Sequence, residues 1–280
     1  MMAHKNKSKG ERLEEFVFHE ITLEHLHRYA MAIEICKGKT VLDIACGSGY
    51  GSNILSQYAA KVVGVDKDAA TILKASNKYI RSNLKFITGD LESIPNNNVK
   101  FDVVVSFETL EHIENHDQML KEIKRVLSPG GIILISTPDK LNYSIRPRHE
   151  NPFHLRELYK AEFEILIKKY FSHYDFLCQK SGLFSVVNPS YDTNKIDYYT
   201  GNFDRIEKRE NTNCIYLIAI ASDSQVPLFN SSVFYLDLLL QKIRSEQIEM
   251  IKHTPSYKLG SFILKPFKLI RKLTYRSKNA

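Results

Sequence analysis

Two groups of residues in this chain have the types and the spacing that chemistry needs. The first is Glu108-Thr109-Leu110-Glu111-His112. In a helical or turn-like segment, positions i, i+3 and i+4 share a side, so Glu108, Glu111 and His112 are expected to face together. Two carboxylates and an imidazole suit a divalent ion such as Mg²⁺, Mn²⁺ or Zn²⁺. The later string His149-Glu150-Asn151-Pro152-Phe153-His154-Leu155-Arg156-Glu157 supplies candidate fourth ligands, His154 among them, on a loop able to fold back. A metal-free reading uses His112 or His154, with Glu111, to take a proton from an acceptor. In a third reading these side chains only hydrogen-bond the loop. All three stand open at this level.

The second group is Val41-Leu42-Asp43-Ile44-Ala45-Cys46-Gly47-Ser48-Gly49-Tyr50-Gly51, a strand running into a glycine-rich turn and then a helix. Gly47 and Gly49 allow a ligand close to the backbone. Asp43 decides which ligand, because a carboxylate beside nucleotide phosphates at a helix N-terminus is repulsive. S-adenosylmethionine has no phosphate, and its ammonium and sulfonium are both cations that an Asp attracts. Asp66 ends Val62-Val63-Gly64-Val65 about twenty residues on, where ribose hydroxyls are expected. Asp90 follows Phe86-Ile87-Thr88-Gly89, placed to accept from an adenine amino group, with the ring beside Leu91. Tyr50 and Phe107 offer rings to the sulfonium or adenine, or simply pack.

The elements that must position these groups alternate. Thr40 to Ala45, Lys61 to Val65, Leu84 to Ile87, Phe101 to Phe107 and Gly131 to Ser136 read as strands apolar on both faces, the pattern of a covered parallel sheet. Gly51 to Ala59, Asp68 to Ile80 and His116 to Leu127 read as the intervening helices, the last stopped by Ser128-Pro129-Gly130-Gly131. Thr22 to Ile35 is an upstream helix. A helix at about Leu158 to Tyr170 and strands Tyr174 to Gln179 and Cys214 to Ala221 follow. Asn188 to Asn213 reads as a lid or insert, and a further helix spans about Val233 to Ile251.

The strings VLDIACGSGYGS, VVGVD, ITGDLESIP and FDVVVSFETLEHI, in this order, closely resemble the class I S-adenosylmethionine-dependent methyltransferases over residues 20–221. The resemblance implies an α/β, Rossmann-like fold: a seven-stranded, mostly parallel sheet with one antiparallel edge strand and helices on both faces. Carried residue by residue, it puts Asp43, Cys46, Gly47, Gly49, Tyr50, Asp66, Lys67, Asp90, Leu91 and Phe107 against the cofactor. Glu24 to Tyr29 would border it, with Arg28 at its carboxylate or in a solvent ion pair. The ExxEH pattern with a later His is similar to ubiquinone-biosynthesis O-methyltransferases and to plant small-RNA 2′-O-methyltransferases, where His154 matches a metal histidine. Both branches methylate one oxygen of a vicinal pair, and a sugar diol presents the same geometry. The SYKLG-x-x-x-L-K-P segment, EHLHRYA and NPFH resemble bacterial enzymes that assemble lipopolysaccharide and other surface glycans. This second resemblance implies a glycan hydroxyl or terminal phosphate, lipid-linked or nucleotide-activated, as the acceptor. The rivals are RNA ribose 2′-O-methylation, methylation of a phenolic quinone precursor, and an inactive cofactor-binding scaffold.

Composition bounds these readings. The chain has 280 residues, 43% of them hydrophobic and 25% charged, which suits a chain that buries a full core. Its net charge of +7 is not spread evenly. Residues 241–280 hold ten Lys/Arg and two Glu, leaving 29 basic against 30 acidic residues elsewhere. A neutral body argues against a nucleic-acid binder and moves the partner question to the tail. There, Ser256 to Lys272 mixes lysines with large apolar residues, a composition that suits the surface of an anionic membrane. No apolar stretch reaches the ~20 residues of a bilayer span, and Met1 to Glu15 lacks an apolar signal core, so a cytoplasmic chain is expected, peripheral at most at the inner membrane. Cys36, Cys46, Cys178 and Cys214 form no CxxC and are expected to be reduced thiols. The expected organisation is an N-terminal segment 1–20, a methyltransferase domain 21–222 with the 188–213 insert, and a basic helical extension 223–280.

Overall fold

The computed structural model describes residues 20–95, 99–182, 184–190, 198–201, 205–209, 214–235, 237–262 and 264. Residues 1–19, much of the 188–213 insert and the tail from residue 265 lie outside them. The described chain runs α1 (Glu20–Cys36), β1 (Thr40–Ile44), α2 (Tyr50–Leu55), β2 (Lys61–Asp66), α3 (Ala69–Lys78), β3 (Leu84–Thr88) and β4 (Phe101–Ser106). It continues through a 3₁₀ turn (Leu110–His112), α4 (His116–Val126), β5 (Leu127–Pro138), a π turn (Leu141–Ile145), α5 (Lys160–Tyr170) and β6 (His173–Ser181). β7 (Ser185–Pro189), β8 (Tyr198–Gly201), β9 (Ile206–Arg209), β10 (Tyr216–Ser222), β11 (Ser232–Phe234) and α6 (Asp237–His253) complete it.

The main sheet has nine strands in the order β11-β7-β6-β10-β5-β4-β1-β2-β3. β3, β2, β1, β4 and β5 pair in parallel. β10 runs antiparallel to both β5 and β6. The fold is therefore Rossmann-like, with two differences from the expected sheet. The antiparallel strand is interior rather than at the edge, and β7 and β11 extend the sheet to nine by antiparallel pairing. Strand alternation assigns the two faces. Leu42, Ile44, Val104, Ile133 and Ile135 pack with Met119, Leu120 and Ile123 of α4 and Phe163 and Ile167 of α5. Val41, Val103, Val105 and Leu134 point the other way, to Tyr29, Ala32 and Cys36 of α1 and Leu55 of α2. Helices thus cover both faces, and the carboxyl ends of β1 to β5 share one edge, where ligands of such sheets bind.

Three readings from sequence are corrected, and the insert gains internal detail. Ser128-Pro129-Gly130-Gly131 belongs to β5, whose register with β4 shifts between Phe101 and Val103, the extra residues being absorbed with Gly130 at φ 71°. Ser232 to Phe234 form a strand, because they pair with β7, so the last helix starts only at Asp237. Inside the 188–213 insert, β8 and β9 make an antiparallel pair of their own. Cys178 and Cys214 are disulfide-bonded, with Cα atoms 5.3 Å apart, and only Cys36 and Cys46 are free; the pairing of β6 with β10 brings together residues 36 apart in sequence. The chain divides into two compact units, Met1–Phe234 and Tyr235–Ala280. No described helix is long and apolar enough to cross a membrane.

Candidate functional site

The glycine-rich turn follows β1, with Ala45, Gly47 and Gly49 all at positive φ. Gly49, at φ 81°, leads into α2, and a Cβ there would lie 2.7 Å from the Phe86 ring, so glycine is required on both counts. Asp43 lies beneath this turn, only 1% exposed. Its carboxyl accepts from Ser52 Oγ at 2.6 Å and from Tyr29 OH at 3.3 Å. Burial raises its pKa to about 7 against the lowering effect of those two bonds. Side chains of α1 and α2 thus hold Asp43 at the foot of the turn.

Asp66 is buried as well, at 7% exposure, and its carboxylate reaches the turn. Its carboxylate accepts from Gly47 N at 3.0 Å and from Asp68 N at 2.9 Å, fixing both loops that follow β1 and β2. Asp90 is exposed and accepts from Glu92 N at 2.9 Å. Lys67 is exposed beyond β2, and Leu91 is part-buried against the core. Cys46 is buried, and burial pushes its thiol up and keeps it protonated and unreactive. Tyr50 bonds His25 Nδ1 at 2.6 Å, while Tyr29 meets the Tyr50 and Phe107 rings edge-on. These two aromatics thus belong to a packed cluster beside the turn.

Arg28 is not in solvent: it is 1% exposed. Nη1 bonds Gln179 Oε1 at 2.8 Å and lies 3.4 Å from Glu108 Oε1, and the guanidinium stacks over Tyr216 at 5.0 Å. Nε and Nη2 of Arg28 are buried without a hydrogen-bond partner. Unmet donors on a buried cation are costly unless an acceptor arrives.

The ExxEH segment separates into two parts. Glu108 takes φ 49°, and its carboxyl accepts from Ser136 Oγ at 2.6 Å and faces Arg28. It does not join Glu111 and His112, because the chain after β4 forms a left-handed residue and a 3₁₀ turn instead of a helix. Glu111 is 1% exposed, and Thr137 Oγ1 donates to Oε2 at 3.0 Å. Burial, then the neighbouring Glu108 charge, raise the Glu111 carboxyl well above the ordinary carboxylate range. Its backbone carbonyl accepts from Leu155 N and Arg156 N at 2.8 and 3.0 Å, and this folds the 149–157 loop back over the turn. His154 then lies edge-on to His112 with centroids 5.1 Å apart.

Both imidazoles have their tautomers fixed. His112 Nδ1 lies 2.9 Å from the Phe153 carbonyl, which can only accept, so Nδ1 carries the proton and the Nε2 lone pair is left 3.9 Å from Glu111 Oε1. His154 Nδ1 donates to Glu157 Oε1 at 2.6 Å while Nε2 accepts from Asn151 Nδ2 at 3.0 Å. One ligand atom from each of Glu111, His112 and His154 falls within 4.8 Å of the others. Sequence reasoning missed the supporting residues Ser52, Ser136 and Thr137, and placed Tyr29, Asn151 and Glu157 only within the segments that hold them.

Comparison with known proteins agrees with this geometry. The methyltransferase domain family matches residues 42–135, from β1 to β5. A probable S-adenosylmethionine-dependent methyltransferase of Mycolicibacterium smegmatis is 38% identical over 152 residues, 54% of this chain and 56% of that protein. The ubiquinone biosynthesis O-methyltransferase of Coxiella burnetii is 34% identical over 103 residues, 36% of this chain and 44% of that one. The chain spans about half the length of these curated relatives. A SAM-dependent methyltransferase of Thermotoga maritima shares the fold at TM-score 0.52 and 15% identity, over 73% of this chain and 91% of that structure.

Proposed function

We propose that this chain, built around a class I methyltransferase domain, transfers the methyl group of S-adenosylmethionine to a hydroxyl of a glycan or glycan precursor. The cofactor fits the residues present. Arg28 holds two unmet buried donors, which suit an α-carboxylate. A Cβ on Gly47 would meet nothing within 4 Å, which leaves the turn open to a ligand. Asp66 and Asp90, at the ends of β2 and β3, suit ribose and adenine donors.

The observation that carries oxygen as the acceptor atom is the convergence of Glu111, His112 and His154. When bound, the cofactor supplies an electrophilic methyl group, so the chain must align the nucleophile and remove its proton. His112 Nε2, which faces the cluster while Nδ1 is held by the Phe153 carbonyl, is the base. Thr137 fixes Glu111, and Glu157 and Asn151 fix His154, around the acceptor oxygen. A divalent cation held by Glu111 and His112 would also lower the pKa of a bound hydroxyl, but His154 could join it only by giving up its bond from Asn151. The glycan assignment rests on the resemblance of the tail and of NPFH to surface-glycan enzymes. A phenolic, quinone-like acceptor is the second reading, favoured by the similarity to the Coxiella burnetii O-methyltransferase.

Calorimetry with S-adenosylhomocysteine, followed by incubation of methyl-labelled S-adenosylmethionine with cell-surface glycan and quinone fractions, tests both readings. Saturable heat and label in the glycan fraction are expected. His112→Ala should lower labelling by about 100-fold or more while leaving homocysteine-product binding in place. Label confined to the quinone fraction selects the second reading, and absence of heat overturns both.

A further inference from the structure

The cofactor and acceptor readings leave the C-terminal unit, Tyr235–Ala280, without a task. Its charge is lopsided: ten Lys/Arg against two Glu from residue 241 onward. Among its described residues, several large apolar side chains are not spent on a core. In α6, Ile248, Met250 and Ile251 are 51, 65 and 56% exposed. The helical run that follows at 255–262 exposes Leu259 and Phe262 to 63 and 77%. Leu259 and Phe262 are three residues apart and share one helix face, with Lys258 at its flank. Large apolar groups left in water in this density mark a surface that something covers.

We propose that this unit docks the enzyme on an anionic lipid surface. The charge selects that occupant over a second copy of the chain, since two units each carrying a surplus of seven positive charges repel at close range. An acidic headgroup layer neutralises the ammonium and guanidinium groups, and Leu259, Phe262 and the α6 residues enter the boundary between headgroups and acyl chains. Lying in the interface needs no spanning helix, which agrees with the absence of one among the described residues. The inference does not rest on the acceptor assignment and stands for any hydroxyl substrate.

Co-sedimentation of the full chain with vesicles of one part phosphatidylglycerol to two parts phosphatidylcholine, against phosphatidylcholine alone, tests it. Binding to the anionic vesicles should be at least tenfold tighter and should collapse in high salt. Leu259→Ser with Phe262→Ser, and separately Lys258→Glu with Lys265→Glu and Lys268→Glu, should each weaken it at least tenfold, with unchanged melting temperature and unchanged S-adenosylhomocysteine binding. Equal binding to both vesicles, or variants that bind like the parent, overturns the proposal. So does concentration-dependent dimerisation lost in the serine variant, or tight binding of an RNA oligomer, when vesicles are not bound.

Discussion

Asp43 is a carboxyl enclosed by Tyr29, Ser52 and the backbone of two neighbouring strands, and its ionisation is a liability to the free protein. Its folded pKa of about 7 lies above the ordinary 3.8. Below the ordinary value both the folded and unfolded chains hold the proton and burial costs nothing by this route. As pH rises the unfolded chain releases it first, so stability is lost until the folded group also ionises near pH 7. The three-unit gap corresponds to a cost of about 4 kcal/mol at pH 8. Asp43→Asn should therefore raise the melting temperature at pH 8 and much less at pH 4, while S-adenosylhomocysteine binds at least tenfold more weakly. A stabilisation equal at both pH values would contradict this. The position of Asp43 was legible from the VLDIACG string, but its place beneath the turn was not, because Tyr29 and Ser52 reach it across 14 and 9 residues. Glu108 repeats the lesson. Residue spacing put it with Glu111, whereas the left-handed residue at its own position turned it to Arg28 and Ser136.

Elements that carry the site were easier to read than those that extend the sheet. β1, β2 and β4 are short β-branched runs whose boundaries moved by a residue or so, since apolar residues on both faces mark each run off from the polar segments around it. β11 was missed because three residues carry no period. It is held by a contact invisible in sequence: His27 of α1 bonds Ser185 of β7 through Nδ1 and Ser232 of β11 through Nε2, each at 2.9 Å. Burial, then the Arg28 charge, depress the His27 pKa from 6.5 to about 4. A depressed histidine stabilises the fold above its unfolded value, and that contribution is lost as pH falls toward the folded one. Between pH 7.5 and pH 5 the clasp should lose about 2 kcal/mol; burial and the Arg28 charge depress His25 too, and its contribution acts in the same direction. His27→Gln keeps a donor and an acceptor but cannot titrate. Denaturant melts should show a shallower loss of stability for His27→Gln over this range, and parallel curves for the two proteins would refute the clasp.

At the scale of the whole molecule, sequence located the charge but misjudged the covalent frame. The split between a neutral body and a basic end is arithmetic on the chain and needs no fold. A cross-link does need one, because Cys178 and Cys214 become neighbours only once β10 has inserted between β5 and β6. The loop they close, of sequence separation 36, contains β7 and the β8–β9 pair, which include strands beyond the expected seven. Its effect falls on the entire unfolded ensemble: tying a loop of that length removes conformational freedom equivalent to about 4 kcal/mol in the chain-entropy account. For a unit of this size each kcal/mol moves the melting temperature by roughly 2–4 °C, so reduction should lower it by about 10 °C. Thiol titration of the chain, unfolded without reductant, should find the two groups of Cys36 and Cys46, and after reduction all four. Cys178→Ser should melt with the reduced protein and be indifferent to reductant. Four reactive thiols before reduction would remove the cross-link and return the whole burden of holding β6 to β10 to their ladder of hydrogen bonds.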